Sequence, residues 1–78
     1  MRSVRILLNG EPHELPHEMS ILSLLERLRL DPRAVAVELD RVVVRRQRYG
    51  ETAIRDGAEV EVVAFVGGGV GEARPVTS

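Results

Sequence analysis

The chain has 78 residues and no cysteine, and eleven basic residues against twelve acidic ones leave a formal net charge of -1. That length makes one small domain, and the missing cysteines exclude a disulfide framework, a thiolate metal site and a cysteine nucleophile. The near-balanced charge gives no bulk attraction to nucleic acid or to an anionic membrane. Every basic residue is arginine, so the chain offers no side-chain amine for an isopeptide link. No apolar run approaches the ~20 residues of a membrane span, and "MRSVRILLNG" has too short an apolar stretch for a signal peptide. A cytoplasmic protein is expected. With one Phe65, one Tyr49 and no tryptophan, its core must be aliphatic.

"SVRILLNGEPHEL" predicts two strands, near 3–8 and 11–15, around Asn9-Gly10. Asn-Gly is a strong hairpin signal because both residues tolerate positive φ in a type I′ turn. Pro12 places the second strand on a sheet edge. Ser20 then fits an N-cap, with Met19 before it positioned to staple onto Leu24. Ile21, Leu24, Leu25 and Leu28 recur at helical spacing, which predicts one amphipathic helix of about ten residues, closed at Asp31-Pro32.

"AVAVELDRVVV" reads as strands 34–39 and 42–44 joined tightly at Asp40-Arg41. "RRQRYGETAIRDG" reads as an irregular stretch with turn chemistry at Asp56-Gly57. In the last strand, "AEVEVVAFV", Glu59 and Glu61 alternate with Val60 and Val62, so one face is buried. The order ββαββ with a single helix implies a two-layer α+β domain. The β-grasp has this order, a mixed sheet with one helix packed on one face and the first and last strands parallel at its centre. "VRILL" and "VEVVAFV" are apolar enough for that central place.

The end of the last strand runs directly into "GGGVGEARPVTS". A dinucleotide loop is excluded by spacing: Glu72 stands where a third glycine belongs, and Pro75 interrupts the required helix. A phosphate-binding P-loop needs a lysine the chain does not have. A flexible connector remains open. So does a handle that enters another enzyme's narrow site, where glycine lets the backbone approach closely.

Other clusters carry less chemistry. His13 and His17 are four apart, but Pro16 lies between them, so surface histidines suit the pattern better than metal ligands. Arg41, Arg45, Arg46 and Arg48 form the densest basic cluster, which suits a solvated loop or a docking surface for an acidic protein. Nucleic-acid binding lacks its aromatic platforms, since only Tyr49 is near. No catalytic constellation is present, and the chain is not expected to be an enzyme by itself.

Taken with "LLNGEPHEL" and "AVAVELDRVVV", the segment "VEVVAFVGGG" resembles the ThiS family of sulfur-carrier proteins over roughly residues 4–69. That resemblance implies a ubiquitin-like β-grasp domain at 1–69 ending in a diglycine handle, Gly68-Gly69, with Gly67 as the extra glycine of many members. It implies that a separate ATP-dependent, ThiF-like adenylyltransferase activates the Gly69 carboxylate, and that no cofactor is bound by the carrier itself. Sulfur from a donor of the cysteine desulfurase type then makes a thiocarboxylate, which a ThiG-like thiazole synthase uses to build the thiazole of thiamine. Phe65 and Val66, where the strand leaves the sheet, are expected in partner contacts, and Arg45 and Arg46 are further candidates.

Family members normally stop at the diglycine, whereas residues 70–78 follow it here. The tail is read as flexible: a precursor extension removed by a peptidase, a fusion linker or an appended stretch. Carriers for molybdopterin, cysteine or a secondary metabolite share the handle and stay open as alternatives. So does a non-carrier β-grasp binding module.

Overall fold

The structure, a computed structural model, describes residues 3–65 and 73–75. Strands β1 (Val4–Leu8) and β2 (Glu11–Leu15) form the expected hairpin, in register from Val4 opposite Leu15 to Leu8 opposite Glu11. Asn9 and Gly10 make its turn with φ of 52° and 82°, the doubly positive geometry that this dipeptide favours. Val4, Ile6 and Leu8 point into the core, and Arg5 and Leu7 point out. Pro12 lies on the outer strand, where its missing N–H costs no ladder bond.

A two-residue strand β3 (Met19–Ser20) leads into helix α1 (Ile21–Arg27). Ser20 caps the helix as expected: its Oγ accepts from the Ser23 N–H at 3.1 Å. Met19 and Leu24 are buried in the same core. The helix has seven residues rather than about ten. Its C-terminus turns early in a Schellman arrangement, with the Arg29 N–H donating to Glu26 O at 3.0 Å and the Leu30 N–H to Leu25 O at 2.9 Å. Arg29 takes the left-handed φ of 59° that this motif requires. The turn lays Leu28 and Leu30 against the core, which a continued helix could not do for both.

A 3-10 turn at Pro32–Ala34, capped by Asp31, precedes β4 (Val35–Leu39), so that strand starts one residue later than expected. Asp40 and Arg41, at φ of 50° and 69°, join it to β5 (Val42–Val44). The stretch read as irregular holds a 3-10 helix at Arg46–Glu51 and a short strand β6 (Ala53–Ile54) paired with β3. Only Tyr49 and Ile54 of these elements are buried, too few to leave a period in the sequence.

Strand β7 (Glu59–Phe65) completes the sheet, whose order is β2-β1-β7-β4-β5. β1 and β7 are parallel neighbours at the centre, and β4 lies antiparallel on the other side of β7. This is the ubiquitin-like β-grasp with one helix on one face. Ile21, Leu24 and Leu25 of α1 are fully buried in a core shared with Val37, Val60 and Val62. Each such side chain contributes about 1.5–3 kcal/mol of burial. Three residues of the segment expected to be a flexible tail form β8 (Ala73–Pro75), antiparallel to β7.

Candidate functional site

The glycines Gly67, Gly68 and Gly69, with Val66, lie outside the described residues; what the structure places is the strand that leads to them. β7 occupies the middle of the sheet and is held on both sides near its start. On one side the Asp40 N–H donates to Glu59 O at 2.8 Å, and Asp40 Oδ1 accepts from the Glu59 N–H at 2.9 Å. On the other, β1 stops after Leu8, opposite Val60. There the Asn9 side chain takes over: Oδ1 accepts from the Val62 N–H at 2.8 Å, and Nδ2 donates to Val62 O at 3.2 Å.

Main-chain groups alternate sides along a strand. Val62 faces Asn9, so Ala64 presents its N–H and C=O to the same edge, and Val63 presents its own to β4, where it pairs with Ala36. Arg74 of β8 lies opposite Ala64. The last residue of β7, Phe65, is half exposed at 51%, on the sheet face away from the helix along with Glu59 and Glu61. An aromatic ring left in water where the chain departs from the sheet is available for contact with another protein.

Arg45 and Arg46 are both exposed. β5 and β7 are each antiparallel to β4, so they run the same way, but β5 ends at Val44, level with Val62, three residues before β7 ends at Phe65. Arg45 and Arg46 follow β5, two strand spacings or about 10 Å across the sheet from β7. The Arg33 guanidinium, hydrogen-bonded to Asp31 at 3.2 Å, holds that carboxyl below its ordinary range, and Arg46 adds a smaller pull. Burial raises the Tyr49 hydroxyl above its ordinary value, while Arg46 acts in the opposite direction. That hydroxyl donates to Val35 O at 3.5 Å.

His13 sits on β2 and His17 in the turn after it, so the two imidazoles are not on one helical face. His17 Nδ1 donates to the Glu18 carbonyl at 2.7 Å. Among the described residues no three acidic or histidine side chains are grouped to hold a metal ion. Nor is any helix there long and apolar enough to cross a membrane. An open groove lined by Asp40, Glu51, Arg55 and Asp56 lies near the start of β7, at the far end from Phe65. The sequence reading missed the clasp of Asn9 on Val62 and the return of β8; Asn9 signalled only a turn.

Comparison with known proteins places this arrangement. The model of the ThiS family matches residues 6–69, ending on the third glycine. The crystal structure of the thiamine biosynthesis protein (ThiS) from Geobacter metallireducens superposes with a TM-score of 0.74 at 30% identity, covering 85% of this chain and all of that one. A thiazole synthase of Paramagnetospirillum magneticum is 36% identical over 74 residues, which are 95% of this chain and 23% of that protein. A match of that extent runs past Gly69. A thiazole synthase of Magnetococcus marinus is 41% identical over 66 residues, 85% of this chain and 20% of that protein. The chain thus spans about a fifth to a quarter of the length of these two relatives. The family match runs from Ile6 within β1 through β2, α1, β4, β5 and β7 to Gly69, and on it the chain belongs to the ThiS family of sulfur-carrier proteins.

Proposed function

We propose that the chain carries sulfur for the thiazole of thiamine on the main-chain carboxylate of Gly69. The observation that supports this most directly is the coincidence of two ends: the family match stops at Gly69, four residues after the central strand β7 stops at Phe65. Four extended residues reach about 13 Å from the sheet, enough to enter a narrow site while the domain stays outside it. Glycine side chains leave the approach to the carbonyl carbon open.

The chemistry belongs to the partners. A ThiF-like adenylyltransferase joins the Gly69 carboxylate to the α-phosphate of ATP and releases pyrophosphate, giving a mixed anhydride. The terminal sulfur of a persulfide, supplied by a desulfurase, attacks the acyl carbon and expels AMP. Two electrons from a thiol then cleave the sulfur–sulfur bond and leave the thiocarboxylate, which a ThiG-like thiazole synthase takes as its sulfur source. Phe65 and Val66, where the handle leaves β7, and Arg45 and Arg46, two strands across the sheet, serve as docking contacts. The Gly69 carbonyl is in peptide linkage to Val70, so a peptidase must hydrolyse that bond before adenylation.

A second reading is favoured by the two thiazole synthases, in which a segment similar to this one is part of a much longer chain. On that reading residues 70–78 connect the carrier to a thiazole-synthase segment, and the same hydrolysis releases the handle. The test is ATP–pyrophosphate exchange by the adenylyltransferase. Exchange stimulated by a chain ending at Gly69 and not by the 78-residue chain is expected; equal stimulation by both contradicts the role of the Gly69 carboxylate.

A further inference from the structure

Ala73–Pro75 returns to β7 at the one stretch of its edge that β1 and Asn9 leave uncovered. β1 pairs with β7 as far as Val60, the Asn9 amide takes Val62, and β8 takes Val63 to Phe65. The tail sequence matches what this edge needs. Ala64 turns its N–H and C=O outward, and the residue opposite it, Arg74, has an N–H to give. Val63 turns its groups toward β4, and the residue opposite it is Pro75, which has no N–H. A proline at that position removes nothing from the ladder and blocks a further strand from adding outside it.

We propose that Ala73–Pro75 is a self-strand: it fills the outer edge of β7 and keeps the chain after Phe65 from being presented as a single extended strand. Phe65 and Ala73 lie opposite each other, so the last described residue of β7 and the first of β8 are neighbours in the sheet. An enzyme that takes the chain after Phe65 as one extended strand meets β8 beside β7 until that pairing is released. The consequence for the handle rests on the carrier reading; the pairing itself does not. Hydrolysis at Gly69–Val70 and the subsequent exposure of the carboxylate are then limited by release of β8, and the freed edge of Ala64 becomes available to an extended segment of the partner.

The test uses the full chain and its variants Arg74→Pro and Arg74→Ala, read by amide hydrogen exchange at Ala64 and by thermolysin cleavage within residues 66–72. Arg74→Pro removes the N–H that faces Ala64 and should raise both rates about fivefold to thirtyfold, as loss of one or two ordinary hydrogen bonds does. Arg74→Ala keeps the main-chain N–H and should change neither. The Val37 amide in the core reports that the variants remain folded. An Ala64 amide that exchanges in the unmodified chain as fast as in an unstructured peptide overturns the proposal, whatever the variants do. So does Arg74→Pro without effect on cleavage. A protected Ala64 in a protein that never carries sulfur on Gly69 would keep the self-strand and remove the carrier chemistry; the converse result would do the reverse.

Discussion

The Asn9 side chain pairs with both main-chain groups of Val62, accepting from its N–H at 2.8 Å and donating to its carbonyl at 3.2 Å. A turn residue thereby stands in for one rung of the missing neighbour strand and secures β7 just beyond the end of β1. Replacing Asn9 by glycine keeps the positive φ and removes only the amide, so it should cost about 1–2 kcal/mol. Replacing it by alanine adds the left-handed backbone cost and should lose about 1 kcal/mol more. Urea denaturation of the two variants separates these contributions. A neutral Asn9→Gly would show that the clasp adds nothing.

Two arginines hold left-handed backbone without the usual glycine or asparagine. Arg29 has φ of 59° at the end of α1, and Arg41 has φ of 69° in the β4–β5 turn. Among the described residues neither side chain has a strong partner to lose: Arg41 reaches Glu59 only at 4.0 Å and is largely exposed. Arg29→Gly and Arg41→Gly should each stabilise the fold by about 0.5–1 kcal/mol. For a domain of this size the melting temperature should rise by roughly 4 °C or more per kcal/mol. A fall in melting temperature for either variant would show that its side chain matters more than its backbone.

Much of this architecture can be traced in the residues themselves. Alternation along "VRILL" and "EVEV", the Asn9-Gly10 turn, the Ser20 cap and the helical spacing of Ile21, Leu24 and Leu25 all survive in the structure. The helix length does not, because its stop is made by Arg29 in a conformation that its residue type does not advertise. Asn9 signals a turn locally, while its partner Val62 lies 53 residues away. β6 and β8 owe their pairing to neighbours that only the tertiary fold supplies. The handle is identified by resemblance to a family, and its residues Gly67, Gly68 and Gly69 lie outside the described residues.

Tyr49 gives the alkaline limb of the stability profile. The chain has no lysine and no cysteine and only this tyrosine, so no other side chain titrates between the α-amino group and arginine. Burial raises the Tyr49 hydroxyl above its ordinary value of 10.0. The unfolded chain therefore releases that proton first as pH rises. Its contribution is fully present below pH 10.0 and is lost as pH climbs toward the raised folded value. Tyr49→Phe should cost about 1 kcal/mol or less at pH 7, since the bond to Val35 O is long, and should flatten the loss above pH 10.0. An unchanged alkaline slope in that variant would remove Tyr49 as its source.

Gly69 should tolerate no side chain. In a chain ending at residue 69, Gly69→Ala places a methyl beside the carbon that must be adenylated, and activation should fall at least tenfold with the fold unaffected. Pyrophosphate release and the melting temperature measured on the same preparation check both halves of this expectation. Normal activation would show that the adenylation site does not depend on close approach to the last residue.

Sulfur carriage depends on which bond the Gly69 carbonyl carbon carries in the cell, and intact mass spectrometry of the protein from its native host reads this directly. The prediction is a species ending at Gly69, part of it with one oxygen exchanged for sulfur. A protein found only with Gly69 still linked to Val70, and never with sulfur, would contradict the carrier chemistry.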